Sequence, residues 1–340
     1  MDNPPKLASR AANISKRCAS VPGRGGNKKL PRLGAAARNV RLATIRSKRP
    51  RVTLPAGGNM STPFQGANIA TDPYSVVVLA KGPVGYWRLG ESGGPTATDN
   101  SGNGVDGVYH GNPTFGEPAA ISRSADTAIR LKGFGCGDYV EIPDVDGAPF
   151  SQPTSGAGLS VEVWLRPDEV VFPGQTAQPY IHWLGKGEHS QYEWGLRFYS
   201  ANADQRPNRI STYIWSPSGG EGAGAYFEDP NLQPGLWIHI VACYDPGDWT
   251  ADPPAGVSIY RNGVRQLGPP SKGTLYRTFN ISPVRGSAPL RLGARDDLSL
   301  TLAGGLDEVA IYPRVLTVND HLKTSIFEHR SVLPERHSAG

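Results

Sequence analysis

Cleaving a glycosidic bond takes two carboxylates roughly 5 to 9.5 Å apart, which a strand supplies by placing alternate acids on one face. No such run occurs in this 340-residue chain. Glu162 is the only acid of its strand-like segment, and Asp307 and Glu308 are adjacent, so an unbroken strand sends them to opposite faces. The seven histidines are scattered, no Gly-x-Ser-x-Gly elbow is present, and no His/Cys constellation points to a transition metal. Three cysteines, Cys18, Cys136 and Cys243, with no C-x-x-C, exclude a disulfide framework, and Cys243 in an apolar run reads as a small buried hydrophobe. These patterns indicate a non-enzymatic protein. The aromatic residues offer different chemistry, because a ring can present its apolar face to the C–H face of a sugar. Tyr192, Trp194 and Phe198 alternate along one segment, as Tyr213 and Trp215 do along another. Tyr192, Trp194, Tyr213 and Trp215 are therefore the expected glycan-binding residues, although the same alternation is what a buried face requires.

From residue 71 onward, short alternating or apolar runs are separated by Gly, Pro, Asn and Asp, the pattern of strands and tight turns. Strands are expected at 84–89, 128–131, 139–142, 159–166, 180–186, 192–199, 209–215, 237–244, 257–261, 290–292 and 304–312. Asn262-Gly263 between apolar runs predicts a type I′ hairpin turn, and Thr317 with Asp320 predicts a capped short helix running to about residue 328 and packing as a lid. Segment 216–230, with Gly219, Gly220, Gly222 and Gly224, reads as a mobile loop of the kind that carries recognition. Trp87, Trp164 and Trp237 are expected to be buried between two sheets about 10 Å apart. The expected class is all-β: a two-sheet antiparallel sandwich with an extended N-terminal arm and a short C-terminal helix.

The charge is divided along the chain. Residues 1–70 hold 14 of the 35 Lys and Arg but one acid, Asp2, giving +13, whereas the remaining 270 residues hold 21 basic and 29 acidic side chains, giving −8. With one aromatic, Phe64, the arm cannot bury enough apolar surface to offset about 1 to 2 kcal/mol of backbone entropy per ordered residue. Arg10, Lys16, Arg17, Lys28, Lys29, Arg32, Arg38, Arg41, Arg46, Lys48, Arg49 and Arg51 suit an assembly arm that orders against neighbouring subunits. A transit peptide, a solubilising tail and an unspecific nucleic-acid contact are the alternatives; the last lacks stacking aromatics. The longest apolar stretch, 76–80, is far short of the roughly 18 residues that cross a bilayer, and no secretory signal is read, so a soluble protein is expected. Residues 331–340 form a tail.

Over 74–330 the segments fall into a familiar order: Gly85-Tyr86-Trp87-Arg88-Leu89-Gly90-Glu91, Asp99-Asn100-Ser101-Gly102-Asn103-Gly104, Tyr139-Val140-Glu141-Ile142-Pro143, Leu159 to Pro167, Trp237 to Ala242, Ile259 to Gly263, and Gly304 to Tyr312 with Leu316-Thr317. In that order they resemble the laminin-G-like, or concanavalin-A-like, jelly roll, which implies such a domain over 71–330. The opening 74–91 looks like the version found in minor tail and other accessory virion proteins of tailed bacteriophages. The resemblance further implies a rim Ca²⁺ site at Asp307, with Glu91 and Asp99 as partners; the alternative is that Asp307 accepts backbone N–H bonds and Glu91 pairs with Arg88. Joined to the basic arm, the resemblance implies a virion component, on tail or capsid surface, oligomeric in its assembly, held to other virion proteins by residues 1–70 and displaying a sandwich toward host-surface glycan. A free carbohydrate-binding module and a nucleic-acid-associated protein are the other two readings.

Overall fold

The structure is a computed structural model that describes residues 72–325 apart from 123, 146–149, 152–156, 173–176, 178, 189–190, 216–222, 247–255, 267–284, 297 and 299. The arm 1–70, the tail 331–340 and the predicted helical residues 326–328 lie outside the described residues. Among them the order is α1 (Pro73–Ala80), β1 (Gly85–Trp87), β2 (Thr96–Ala97), β3 (Gly107–His110), β4 (Thr114–Pro118), β5 (Thr127–Lys132), β6 (Tyr139–Ile142), β7 (Leu159–Pro167), β8 (Tyr180–Lys186) and β9 (Trp194–Tyr199). There follow β10 (Arg209–Ile214), β11 (Ala223–Glu228), β12 (Ile238–Asp245), β13 (Gly256–Arg261), β14 (Val264–Arg265), β15 (Leu290–Leu292), β16 (Ala303–Tyr312) and α2 (Val318–Ser325).

Two antiparallel sheets form the sandwich. Sheet A runs β14-β13-β12-β7-β16-β5-β4, with β1 also on β16; sheet B runs β11-β10-β9-β8-β15-β6-β3-β2. The core between them takes alternate residues from each strand: Val161, Val163 and Leu165 from β7, Ile238, Ile240 and Ala242 from β12, and Leu196, Phe198, Ile210 and Ile214 from sheet B. The opposite parity of β7 and β12 places Trp164, Val241 and Cys243 on the outer face of sheet A, where they pack with Tyr74 and Val78 of α1, Tyr312 and Leu316. All three tryptophans expected in the interior are buried, but only Trp87 lies between the sheets; Trp164 and Trp237 are buried on the outer face, beneath a layer the sequence pattern does not reveal. That layer begins with α1. A Val76-Val77-Val78 run favours strand over helix, yet Asp72 caps the first turn through Tyr74 N–H (3.1 Å), Pro73 opens it, and Tyr74 and Val78 on one face meet Trp164, whose Nε1 donates to Tyr74 Oη (2.8 Å).

All eleven expected strands are present within a few residues. Asn262 and Gly263 take φ of +48° and +77° between β13 and β14, as a type I′ turn requires. Thr317 and Asp320 make the predicted reciprocal cap, Asp320 Oδ2 accepting from Thr317 N–H (2.9 Å) and Asp320 N–H donating to Thr317 Oγ1 (3.3 Å). Two expectations need correction. Residues 223–228, expected within a mobile loop, are strand β11, paired in register with β10 from Arg209↔Glu228 to Ile214↔Ala223; Gly224 fits because a Cβ there would lie 2.6 Å from Thr212 O. Cys136 is disulfide-bonded, which neither count nor spacing indicates, while Cys243 is a buried free thiol pushed up to about 11 by burial.

Candidate functional site

The two outer faces of the sandwich differ. Sheet A is covered by α1 and α2, and its outward polar groups are consumed in buried networks. Glu162 of β7 accepts from Lys81 Nζ (3.1 and 2.9 Å) and Tyr312 Oη (2.6 Å) and lies 2.8 Å from His239 Nε2, with Lys81 also bonding Thr324 Oγ1 (3.0 Å). Burial pushes Glu162 upward, but the His239 hydrogen bond and the Lys81 charge outweigh it and hold the carboxyl well below the usual range. This Glu/His pair is fully buried, so it has no open face on which to meet a substrate.

Asp307 and Glu308 are not on opposite faces. The pairing of β16 with β7 shifts register between Asp307 and Ala310, and Glu308 takes φ +53°; this bulge turns both carboxylates into one buried cluster. One oxygen each of Asp126, Asp307 and Glu308 lies within 4.8 Å of the others. The predicted calcium trio is not brought together in this way. Asp99 anchors its own turn, accepting from Tyr86 N–H (2.9 Å), Ser101 N–H (2.9 Å) and Val105 N–H (3.1 Å), and Glu91 accepts from Thr98 N–H (2.8 Å) and Tyr109 Oη (2.6 Å) rather than pairing with Arg88. Asp307 Oδ2 accepts from Ala120 N–H (2.7 Å).

The cluster that does form is a poor fit for calcium, because Arg88 already stands in it. Its Nη2 is 2.7 Å from Asp126 Oδ2 and 3.0 Å from Glu308 Oε1, it also pairs with Asp72, and Tyr86 Oη donates to Glu308 Oε2. An ion needing six to eight oxygens at 2.3–2.6 Å would have to displace that guanidinium; Asp307 Oδ1, which Arg88 does not reach, is buried without a hydrogen-bond partner. Burial pushes Glu308 up to about 7 against the pull of Arg88, and raises Asp307 further from its usual value, with Glu308 adding to the effect. Exchanging millimolar calcium for EGTA is therefore expected to move Tm by less than about 1 °C, whereas a site saturated a hundredfold above its Kd would add about 2.7 kcal/mol, several degrees for a domain of this size. A drop of that size in a melting curve would show the cluster to be a calcium site.

Sheet B is different. Strand parity sends Trp194, Leu196 and Phe198 of β9 inward and Gly195, Arg197 and Tyr199 outward, while β10 sends Tyr213 outward and the chain continues to Trp215. Trp194, expected among the glycan contacts, is thus a core residue, 1% exposed, its Nε1 donating to Phe150 O (2.7 Å). Tyr192 precedes β9 and escapes its alternation; its ring lies 5.9 Å from that of Trp215, which stacks on Tyr213 at 5.5 Å and 27°. Three of the four expected residues therefore meet on one face.

Several residues that complete this platform are not evident from sequence. Tyr180 and His182 of β8 extend the aromatic surface toward Tyr199 and Trp215. Arg197 lies over Tyr180 (4.2 Å), Tyr213 (4.7 Å) and Tyr199 (5.7 Å), and Arg295 over Tyr192 (4.1 Å) and Trp215 (4.6 Å). Arg295 reaches its rings across Gly185 and Gly195, directly paired in β8 and β9; a Cβ on either would come within 3.2 Å of its Cδ. An arginine at 295, a hundred residues from β9 and outside any strand, carries no periodic signal. The local signal is the paired glycines within two apolar strands, which mark close approach by another group.

Asp296 binds Arg295 Nε (2.6 Å) and Tyr192 Oη (2.8 Å). Burial, then Arg295 and Arg197, pushes His182 well below its usual value, so the ring is neutral and its Nε2 accepts from Arg197 Nε (3.2 Å). Tyr199 Oη accepts from both Arg197 (2.9 Å) and Arg206 (2.7 Å); burial works against its ionisation, yet Arg197 draws its pKa below the usual phenol value. The arrangement combines partly exposed rings, Tyr180, Tyr192 and Trp215, with guanidinium groups packed over ring faces, while Tyr199, Tyr213 and His182 are buried; aromatic surface and hydrogen-bond donors are the two components of saccharide recognition.

Solved structures with a similar fold include the receptor binding domain of botulinum neurotoxin mosaic serotype C/D (TM-score 0.51, 9% identity, 73% of this chain and 51% of that one). The binding domain of botulinum neurotoxin DC in complex with rat synaptotagmin II is another (0.52, 10%, 73% and 52%). A third is botulinum neurotoxin type C, whose cell entry is dependent upon interaction with two ganglioside molecules (0.51, 10%, 72% and 51%). The chain spans about half the length of these structures, and at such identities the likeness is one of fold. No curated protein sequence matches the chain. Residues 134–320, just over half of the chain, match the family described as the concanavalin A-like lectin/glucanases superfamily. By that match, and with its two antiparallel sheets, the chain belongs to the concanavalin A-like lectin/glucanase superfamily.

Proposed function

We propose that this protein is a non-enzymatic glycan-recognition component of a bacteriophage virion, a minor tail or decoration protein anchored by its basic residues 1–70 and displaying the sandwich toward host-surface glycan. The observation that carries the recognition part is the cluster of partly exposed rings, Tyr180, Tyr192 and Trp215, on the outer face of sheet B, with Tyr213 buried against Trp215, opposite a sheet whose outer face is covered. A non-enzymatic role is favoured because Glu162, Asp307 and Glu308 are all buried, and Asp296, beside the rings, is held by Arg295 and Tyr192. The ganglioside dependence of a neurotoxin of similar fold is consistent with a sugar ligand. Virion placement rests on the sequence, namely the +13/−8 division and the phage-like 74–91 segment, with other virion proteins and further copies of the chain as partners. Among the described residues no helix is long and apolar enough to cross a membrane.

The test of recognition is a glycan array probed with the full chain and with Trp215→Ala. The wild type is expected to bind a defined oligosaccharide, and loss of this central aromatic is expected to weaken binding about tenfold or more. Equal binding by both proteins, or no binding by either, would remove the platform as a glycan site. For placement, deletion of 1–70 is expected to abolish incorporation into particles, and normal incorporation of the truncated protein would end the anchoring proposal.

A further inference from the structure

Among the described residues, five guanidinium groups lie over tyrosine rings on the outer face of sheet B: Arg206, over Tyr199 and donating to its Oη, Arg197, and three with the following carboxylate partners. Arg209, over Tyr226, pairs with Glu228 at 2.6 Å; Arg291, over Tyr139, with Glu141 at 2.8 Å and Glu188 at 2.6 Å; Arg295 with Asp296 at 2.6 Å. Arg197 has none among the described residues. Its Nε donates to His182, its Nη1 to Tyr199 Oη, and its Nη2 meets no acceptor among the described residues; the group is half-buried at the centre of the ring cluster. Among the described residues, two further cations, Arg206 and Arg295, and one acid, Asp296, already engaged, stand around it. A neutral sugar presents hydroxyls that donate as well as accept, and a site for it supplies acceptors such as free carboxylates and amides. Here donors dominate and, among the described residues, the nearby carboxylate is occupied, so the missing acceptor is most economically provided by the ligand.

Resting on the glycan-binding reading above, we infer that the outer face of sheet B recognises an acidic glycan, its sugar ring against the partly exposed Trp215 and Tyr192 and a carboxylate or sulfate oxygen on Arg197. The planar guanidinium offers two parallel N–H donors to such an oxyanion, and the rings beneath hold its plane fixed. Both anions present the same oxygen acceptors, so the chemistry of the site is shared between them.

The test is binding of the full chain, by biolayer interferometry, to alginate, polygalacturonate, polysialic acid and chondroitin sulfate against dextran, mannan and chitohexaose, with wild type, Arg197→Met and Arg197→Lys. At least one acidic polymer is expected to bind, with affinity falling about tenfold or more in Arg197→Met and less in Arg197→Lys, which keeps the charge but loses the fork. Near-UV circular dichroism and Tm confirm folding, and if Arg197→Met does not fold, a measurable loss in Arg197→Lys carries the comparison. Carboxyl-reduced and desulfated forms of the bound polymer separate the two oxygen sources. Acidic-polymer binding unchanged by both variants would assign it to the basic residues 1–70 and overturn the inference. Binding confined to neutral polymers and lost in Trp215→Ala would overturn it while leaving glycan recognition in place, and no binding to any polymer would remove both.

Discussion

Replacing Glu162 with alanine is expected to cost about 3–5 kcal/mol of folding free energy, the range found when one partner of a buried ion pair is removed. The side chain is fully buried and receives Lys81, His239 and Tyr312; without it, the Lys81 ammonium, 3% exposed, keeps Thr324 Oγ1 but no counter-charge. Because Lys81 follows α1 and Thr324 lies in α2, the same loss loosens both helices from sheet A. Near neutral pH this should appear as a fall in Tm of roughly 10 °C, at about 2–4 °C per kcal/mol for a domain of this size. The folded-state pKa of Glu162 is depressed, so its contribution is present above the unfolded carboxyl value and is lost as pH falls toward the folded one; the wild-type advantage should therefore shrink below about pH 4. The discriminating measurement is a double-mutant cycle. Glu162→Leu with Lys81→Leu removes both charges and should lose clearly less than the two single changes added together. Strict additivity in urea titrations would mean that the two side chains do not act as a pair.

How far these features can be read in the sequence depends on the range of the forces that make them. Strands β7, β12 and β16, the Asn262-Gly263 turn and the Thr317 cap are set by alternation or by contacts within four residues, so a linear scan finds them. Helix α1 is hidden because a valine run carries strand propensity, and only the distant Trp164 makes the helical face worth burying. Trp194 is expected on the wrong face because alternation fixes which residues share a face but not which face is inward. Tyr192 breaks the same rule by standing just before the strand. The platform is half legible: its rings lie in or beside β8, β9 and β10, but Arg295 arrives from a loop after β15 and Arg197 looks like any surface cation until three rings are found around it. The Asp307–Glu308 bulge is hidden for a related reason, since one residue in the left-handed region inverts the parity of everything before it.

That bulge supplies the second large effect. Arg88→Met is expected to destabilise the protein by about 3–5 kcal/mol at pH 8, because Asp72, Asp126 and Glu308 would face one another with their shared cation gone. Unlike the Glu162 change, its cost should decline on acidification. Burial already lifts Glu308 to about 7 even with Arg88 pulling it down, and burial lifts Asp126 as well. Without the guanidinium these folded-state values rise further. A carboxyl whose folded pKa exceeds its unfolded value contributes stability that is fully present below the unfolded value, near 4.3, and is lost as pH rises through the folded one. The variant should accordingly approach wild-type stability near pH 5 and fall progressively behind from there to pH 8. Adding Glu308→Gln to Arg88→Met should recover part of the loss at pH 8 and change little at pH 5, since at the lower pH the carboxyl is already neutral. Thermal unfolding of the three proteins across this range separates the explanations. A gap between wild type and Arg88→Met that stayed constant with pH would mean that the arginine acts by packing its stem against Tyr86, and that the buried carboxylates do not depend on its charge.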